Sequence, residues 1–162
     1  MLRLNIGCGL KILPGYVNCD YIDGSGVDEV FDVTKRIPYP SSSVDEILVE
    51  GVFGHIFSWH QTPMNEIYRV LKPGGVVRIS EVCGFSHDPF HVRYFFSDTM
   101  KMFNQRRERC GTEDPGYCFE LLETNGGFFL DLLCILSFVA SWLHGPARTI
   151  YWILRKPLEK EF

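Results

Sequence analysis

Short apolar runs, each followed by a turn residue or a carboxylate, recur through the first half of the chain. They cover residues 2–6, 16–19, 29–31 and 44–49, and a β-branched run occupies residues 75–79. Runs of this length bounded by turn residues predict β-strands. Strands separated by crossover connections are typical of a parallel α/β sheet.

One helix is predicted before the strand at 75–79. Thr62 and Pro63 supply a favourable N-cap and first helical position. The apolar residues that follow at helical spacing are Met64, Ile67, Tyr68 and Leu71. The Pro73-Gly74-Gly75 turn then ends the helix.

The second half of the chain has a less regular pattern. Ser97 and Asp98 predict the start of a helix that runs to about residue 109, and residues 117–122 are compatible with a strand. Residues 128–143 are almost continuously apolar, and residues 150–154 form another short apolar run.

Length and composition indicate one globular domain over residues 1–162. The chain is 46% hydrophobic and 22% charged. Its net charge of −4 argues against a nucleic-acid-binding protein, which needs a basic surface for phosphates. The acidic excess lies in residues 1–90, which hold 7 basic and 11 acidic side chains. A cationic ligand would suit that half of the chain.

The six cysteines include no C-x-x-C pair and lie mostly in apolar runs. Cysteines in this pattern are typical of free buried thiols and predict neither a zinc site nor a disulfide framework. The first residues carry no apolar stretch of secretory length. We therefore expect a protein of a reducing compartment, the cytoplasm.

The Gly7-Cys8-Gly9 turn would let a ligand approach the backbone closely. It does not fit a dinucleotide fingerprint, because residue 12 is not glycine and Pro14 leaves no room for the helix that holds a pyrophosphate. A P-loop is excluded because no Gly-Lys-Ser/Thr follows. The turn therefore predicts a ligand with a small polar group and no phosphate.

Carboxylates follow three of the predicted strands, at the sheet edge where ligands of α/β proteins bind. Asp20 can accept hydrogen bonds from ribose hydroxyls, or it is a turn aspartate near Asp23-Gly24. Asp32 can accept from an adenine amino group, or it is a loop carboxylate. Glu50 follows the fourth strand.

Six segments of the sequence, in this order, resemble class I S-adenosylmethionine-dependent methyltransferases, in particular their short, type 11-like branch. The cofactor-binding half, about residues 1–81, contains LNIGCG (4–9), NCD (18–20), FDVTKRIPYP (31–40), SVDEI (43–47) and EIYRVLKPGG (66–75). The segment DPFHVRYF (88–95) resembles one that follows the fifth strand in that branch. It opens the half, about residues 82–162, that would form the lid and substrate region.

The resemblance implies a Rossmann-like α/β fold with a mostly parallel sheet flanked by helices. It also implies S-adenosylmethionine as the cofactor and a small-molecule or glycan-related methyl acceptor. Asp20 would bind the ribose, Asp32 and Val33 the adenine, and Gly7 and Gly9 the methionine part. The cofactor-binding residues it implies in all are Asn5, Gly7, Cys8, Gly9, Asp20, Tyr21, Asp32, Val33, Glu50 and Gly51.

The sequence also departs from the family pattern. Asn5 stands where the family usually has an acidic residue, Lys11 where a third glycine is frequent, and Gly54 where a glutamate often precedes histidine. These departures keep open a catalytically inactive S-adenosylmethionine-binding or scaffold protein that acts with a partner. The antiparallel strand pair that usually closes the family's sheet is not evident. We therefore expect a sheet that is compact or incomplete at its C-terminal end, or completed by a second chain.

Histidines are the candidate catalytic residues, because methyl transfer needs a base only when the acceptor carries a proton. His55 and His91 are predicted as catalytic, and His87 and Arg93 as substrate-binding; structural roles are the alternative. His87 and His91 flank Asp88 at a spacing that suggests a metal ligand set. Pro89 disfavours a regular helix there, so no metal is expected.

The apolar region from residue 128 to 154 offers a possible homodimer or peripheral membrane contact. The run at 128–143 is shorter than a membrane-spanning helix and contains Asp131. A core or sheet-covering helix is the alternative. Membrane attachment would draw on Trp142, Arg148, Trp152, Arg155 and Lys156.

Overall fold

The computed structural model describes residues 1–57, 62–83, 88–103, 118–125 and 149–158, which contain one seven-stranded sheet. The strands are β1 (Arg3–Ile6), β2 (Val17–Asp20), β3 (Glu29–Val30), β4 (Val44–Glu50), β5 (Leu71–Val82), β6 (Glu120–Thr124) and β7 (Thr149–Arg155). Helix α1 spans Thr62–Val70, and short 3-10 helices span Phe53–His55 and Thr99–Phe103. The sheet order is β3-β2-β1-β4-β5-β7-β6.

The mostly parallel α/β fold predicted from the sequence is confirmed. Strands β1 to β5 are paired in parallel, and β7 is antiparallel to β5 and to β6. In the central strand β1, the consecutive residues Leu4, Asn5 and Ile6 are all buried. Continuous burial of this kind is typical of a parallel strand that is covered on both faces.

Helix α1 begins at Thr62, as predicted, and it ends one residue before Leu71. Met64, Ile67 and Val70 are fully buried at helical spacing. Leu71 is the first residue of β5, where it pairs with Val44, so the chain passes from helix to strand without an intervening loop. The predicted stop at Pro73-Gly74-Gly75 therefore lies inside the strand.

The Glu66-to-Gly75 segment that carries much of the family resemblance has a structural role. The Arg69 guanidinium donates to the carbonyls of Ile37 and Tyr39, at 2.9 and 2.8 Å. Glu66 accepts the Ile37 N–H at 2.9 Å and pairs with Arg69 at 2.6 Å. The two side chains thus fasten the proline-rich connection at 37–40 to α1, and each holds the other charged: the pKa of Glu66 is lowered and that of Arg69 raised.

The expectation of an incomplete sheet is wrong, because both antiparallel strands are present. Strand β7 buries Ile150, Trp152 and Leu154 against the core, and β6 forms the edge of the sheet beside it. Residues 125–148 separate the two strands, so no tight-turn signal marks them as a pair. The strand predicted at 117–122 is found at Glu120–Thr124.

The prediction of a dimer or membrane contact over residues 128–154 is wrong for Trp152. The indole of Trp152 is fully buried and donates to the Ser97 carbonyl at 3.1 Å, so it cannot contact a membrane or a second chain. The predictions for residues 126–148 lie outside the described residues. Within the described residues no helix is both long and apolar enough to cross a bilayer.

The helix predicted from residue 97 to about residue 109 is observed only as the 3-10 helix at Thr99–Phe103. Thr99 Oγ1 accepts the Phe96 N–H at 2.9 Å at the start of this helix. Residues 104–117 lie outside the described part of the chain.

Candidate active site

A cleft of about 730 Å³ opens at the edge where the parallel strands end. Its walls are formed by Ile6, Gly7, Asp20, Tyr21, Phe31, Asp32, Val33, Thr34, Gly51, Val52, His55, Ile56, Phe57, Pro89, Phe90 and Val92. The volume lies within the range of about 300–1,000 Å³ that is usual for small-molecule sites. Ligands of α/β sheets bind at this edge, so the cleft is the candidate site.

The order of the strands fixes the order of the site residues. Asp32, Asp20, Gly7, Gly51 and Glu81 follow or end β3, β2, β1, β4 and β5, and they therefore lie in that sequence along the edge. The carboxylates of Asp32 and Asp20 occupy one end of the cleft. His55, which follows β4, lies toward the other end.

The glycine turn after β1 is held against β2. The N–H groups of Gly7 and Cys8 both donate to the Cys19 carbonyl, at 2.8 and 3.0 Å. Gly7 has a φ of +69°, and a Cβ there would lie 2.2 Å from Val52 Cγ2. Only glycine fits this position, because the backbone conformation and the lack of space both exclude a side chain.

Asp20 combines a structural contact with an accessible carboxylate in the cleft. Its Oδ2 accepts the Gly9 N–H at 2.8 Å, and its Oδ1 accepts the Ile22 N–H at 3.1 Å. The residue is only partly buried and lines the cleft. A carboxylate has about four lone-pair positions, so Asp20 can hold the glycine turn and still accept hydrogen bonds from a ligand.

Asp32 is held as a carboxylate beside the apolar wall formed by Phe31 and Val33. Its Oδ1 accepts both the N–H and the hydroxyl of Thr34, at 2.9 and 2.6 Å. These hydrogen bonds, with a smaller contribution from Lys35, lower the pKa of Asp32. The acidic end of the cleft is therefore charged at neutral pH.

The β1–β2 connection contains no helix, as the sequence predicted. The side chains of two buried asparagines, Asn5 and Asn18, hold the backbone of this connection instead. Asn5 Nδ2 donates to the Lys11 carbonyl at 2.8 Å and to Asn18 Oδ1 at 3.0 Å. Asn18 Oδ1 also accepts the Leu13 N–H at 2.9 Å. The backbone of residues 7–13 is thereby fixed at the entrance of the cleft without a crossover helix.

We expect Asn5→Leu to lower the free energy of unfolding by about 1–3 kcal/mol, because it removes both amide donors and leaves buried acceptors unsatisfied. Urea unfolding measures this change. The same variant should bind the ligand of the cleft more weakly, since the glycine turn loses its support. An unchanged unfolding curve would contradict the structural role of Asn5.

Four of the predicted cofactor residues do not line the cleft. The side chains of Asn5 and Cys8 are buried, and Gly9 is exposed beside the Asp20 carboxylate. Glu50 forms an ion pair with Lys11 between the ends of β4 and the glycine turn. Burial raises the pKa of the Cys8 thiol, with a further contribution from Asp20, so Cys8 is a neutral thiol.

Glu81 organises the opposite wall of the cleft and was not predicted from the sequence. Its Oε1 accepts the N–H groups of Val52 and Phe53 at 3.0 and 2.8 Å, and its Oε2 accepts that of Gly54 at 3.2 Å. The side chain is only 1% exposed. Burial raises the pKa of Glu81 to about 7, against the lowering effect of the three N–H groups.

The histidines predicted as catalytic are brought together. His55 Nε2 and His91 Nε2 lie 3.1 Å apart, and their rings meet nearly edge to face. The Val92 N–H donates to the Gly54 carbonyl at 2.8 Å, which ties their two segments together. Burial and the neighbouring His55 lower the pKa of His91, so its ring is neutral at neutral pH.

Arg93 supports the cleft wall from behind and is not one of its lining residues. It donates to the carbonyls of Ile56 and Phe57, at 3.0 and 2.5 Å, and so holds the segment that follows His55. Its predicted contact with an anionic substrate remains a prediction. His87 lies outside the described residues.

The sequence signal for Glu81 was available but overlooked. A carboxylate at a strand end directed attention to Asp20, Asp32 and Glu50, and the predicted fifth strand stopped at residue 79. Glu81 lies two residues beyond that limit, in the strand as it is observed. The apolar wall at Ile56, Phe57 and Phe90 has no comparable signal, because it is assembled from two separate loops.

Comparison with known proteins agrees with this architecture. Residues 16–79 match the family model described as a methyltransferase domain. The cyclase SpnF aligns with a TM-score of 0.62 and 16% identity, over 97% of this chain and 74% of that one. A putative methyltransferase from Bacillus halodurans aligns with a TM-score of 0.60 and 17% identity, over 96% and 92% of the two chains.

A third solved structure contains ligands. It is the 1,6-didemethyltoxoflavin-N1-methyltransferase of Burkholderia thailandensis with bound 1,6-didemethyltoxoflavin and S-adenosylhomocysteine. It aligns with a TM-score of 0.61 and 13% identity, over 96% of this chain and 71% of that one. The sequence matches no curated protein. At these identities the structural comparisons establish the fold.

Of the solved structures with this fold, one is described as an S-adenosylmethionine-dependent methyltransferase and another contains S-adenosylhomocysteine, and the cleft described here fits a ligand of that kind. Asp20 offers a carboxylate to ribose hydroxyls, and Phe31 and Val33 offer an apolar surface to adenine. A Cβ on Gly51 would meet no atom within 4 Å, so the backbone there is open to a ligand. The charged carboxylates suit a cationic sulfonium.

The described fold has the strand-end cleft expected from the sequence resemblance. The segments that carry this resemblance overlap the matched residues 16–79. The family match over residues 16–79 is to a methyltransferase domain, and the described fold is the one found in solved methyltransferase structures.

Proposed function

We propose that the chain transfers the methyl group of S-adenosylmethionine to a small-molecule acceptor bound near His55. One observation carries this proposal. The same cleft is lined by carboxylates suited to the adenosyl part and by His55, which is paired with His91 behind it. Bound S-adenosylmethionine supplies a methyl group on a cationic sulfur, and the acceptor must approach that methyl from the opposite side.

Asp20 and Asp32 are the residues that we expect to bind the cofactor, through its ribose and its adenine amino group. Gly51 leaves the backbone accessible between these carboxylates and the histidine pair, and Gly7 lines the cleft beside it. Positioning of this kind accounts for much of the acceleration in an in-line displacement, since it aligns the reacting atoms before reaction.

His55, which lines the cleft, is the group best placed to take a proton from the acceptor, with His91 as its hydrogen-bond partner. Burial and the neighbouring His55 lower the pKa of His91, so its ring is a neutral hydrogen-bond partner for His55. A base is required only for a hydroxyl, thiol or protonated amine acceptor. The histidine pair therefore favours acceptors of that kind.

The acceptor end also limits the size and polarity of the substrate. Ile56, Phe57, Phe90 and Val92 give the cleft apolar walls beside the histidines. Phe57 and Phe90 are 79% and 74% exposed, so they can pack against a bound ring or sugar face. A small aromatic or glycan-related acceptor fits these walls, and the glycan preference comes from the family resemblance.

A second candidate is a protein that binds S-adenosylmethionine without transferring its methyl group. The alignment with SpnF, a cyclase, favours keeping this candidate, because the same fold there belongs to a protein described by another reaction. The departures from the family pattern at Asn5, Lys11 and Gly54 also favour a protein without methyl-transfer activity. This candidate shares the cofactor-binding prediction and differs only in turnover.

Methyl transfer is tested by measuring S-adenosylhomocysteine formation with a panel of phenols, catechols, thiols and sugars. We expect His55→Ala to lower turnover about 100- to 10,000-fold with little change in S-adenosylmethionine affinity. Asp20→Ala, the matched control, should weaken affinity instead. Equal turnover by wild type and His55→Ala would remove His55 from the mechanism. Cofactor binding without turnover on any acceptor would favour the second candidate.

A further inference from the structure

The histidine pair has a third partner that the sequence did not associate with His55. Asp88 Oδ2 lies 3.9 Å from His91 Nε2, and the three ligand-type atoms of His55, Asp88 and His91 lie within 4.8 Å of one another. In the sequence, the residue spaced to bind a metal together with His91 is His87. The fold instead brings His55, from the other side of the cleft wall, to His91.

We propose that His55, His91 and Asp88 form a binding site for one divalent transition-metal cation of the zinc type, at the acceptor end of the cleft. Two imidazoles and one carboxylate are the ligand types that such cations prefer. Three protein ligands leave a coordination position for a small molecule. His55 lines the cleft, so that position lies beside the space assigned to the acceptor.

The distances are compatible with this ligand set. Zinc–nitrogen bonds of about 2.0–2.1 Å place two tetrahedral ligands about 3.3 Å apart. The two Nε2 atoms are 3.1 Å apart, so a cation between them needs only a small change in their separation. The Asp88 Oδ2 atom is 3.9 Å from His91 Nε2, and the three ligand atoms lie within 4.8 Å of one another, so this exposed carboxylate must move toward the histidines by about 0.6–1.5 Å to complete the set.

Neighbouring backbone groups restrict the positions of two of the three ligands, Asp88 and His91. Asp88 Oδ1 accepts the Phe90 N–H at 2.8 Å, which orients the carboxylate within the turn that ends at His91. Gly54 packs against the His91 ring: a Cβ there would lie in van der Waals contact, 3.4 Å from two of the ring carbons.

A cation at this site would deepen the proposed function by selecting the acceptor. It would bind an oxygen or sulfur of the acceptor and favour its deprotonated form, with the proton released to solvent. The two histidines would then act as ligands instead of as the base. This role rests on the proposed function, whereas the affinity for the cation does not and is measured without cofactor or acceptor.

The test is a titration of the chelator-treated full chain with zinc chloride, followed by cobalt(II) absorption spectroscopy. We expect one zinc ion per chain. Affinity should fall about 100-fold in His55→Ala and in His91→Ala, and about 10-fold in Asp88→Asn. His55 is exposed, so His55→Ala should remain folded, which circular dichroism checks. Asp23→Asn, a change to an exposed acid elsewhere, is the matched control and should bind zinc as wild type does.

Two results would overturn the proposal. One is zinc affinity that is equal in wild type, His55→Ala and His91→Ala. The other is a thiolate-to-cobalt charge-transfer band, which would assign the metal to cysteines. Failure of the chain to bind S-adenosylmethionine would contradict the proposed function and would leave the zinc titration unaffected, so the two failures are distinguishable.

Discussion

Replacing Gly7 by alanine will lower the free energy of unfolding by about 3–5 kcal/mol and will disrupt the cofactor end of the cleft. The added Cβ would lie 2.2 Å from Val52 Cγ2, and the residue has a positive φ of +69°. Valine is stiff at χ1 and cannot rotate freely out of the way. The glycine turn or the Val52 loop must therefore move, and both form walls of the cleft.

Gly9→Ala is the matched control for this prediction. Gly9 also has a positive φ, of +49°, but a Cβ there would meet no atom within 4 Å. It should therefore lose only the backbone contribution, about 1–2 kcal/mol. The double variant Gly7→Ala/Val52→Ala should recover part of the loss. Urea unfolding of the wild type and the three variants measures these free energies. Equal losses of unfolding free energy in Gly7→Ala and Gly9→Ala would contradict the steric clash with Val52.

The stability of the protein should decrease as the pH rises from 5 to 8, and Glu81 should account for about 3 kcal/mol of that decrease. Burial raises the pKa of Glu81 to about 7. In the unfolded chain the carboxyl ionises near its ordinary pKa of 4.5. A group with a raised pKa in the folded state stabilises the fold fully below its unfolded pKa. That contribution is lost as the pH passes the folded pKa.

Glu81→Gln should remove this pH dependence. The free energy of unfolding of the variant, relative to wild type, should increase by about 3 kcal/mol between pH 5 and pH 8. Asp45→Asn is the control, because hydrogen bonds from Lys72 and Leu2 lower the pKa of Asp45 and complete its titration below pH 5. Parallel profiles for wild type and Glu81→Gln would show that Glu81 does not titrate in this range.

The first half of the fold was predictable because its signals are local. Each parallel strand there is a short apolar run with a turn residue or a carboxylate at its end, and Thr62-Pro63 marks the start of α1. The absence of a helix between β1 and β2 also followed from the position of Pro14. The strand pair β6–β7 was missed because its pairing joins residues on either side of the 125–148 segment, and no local pattern specifies it.

The site was predictable where it follows strand ends and unpredictable where loops meet. Asp20, Asp32, Gly7 and Gly51, which lie at or within two residues of strand ends, line the cleft as their positions predicted. The contact between His55 and His91 depends on the 3-10 helix at Phe53–His55 and on its fastening by Glu81. That fastening is a tertiary hydrogen-bond arrangement, which no residue spacing encodes.

Calorimetric titration of the purified chain with S-adenosylmethionine and S-adenosylhomocysteine tests the central claim most directly, with NAD as the control ligand. We expect the first two to bind one per chain and NAD not to bind. Asp20→Ala should weaken that binding about 10- to 100-fold, through the loss of charged hydrogen bonds, while Asp23→Ala in the adjacent exposed turn should not. Absence of binding by wild type to either ligand would contradict the assignment of the cleft.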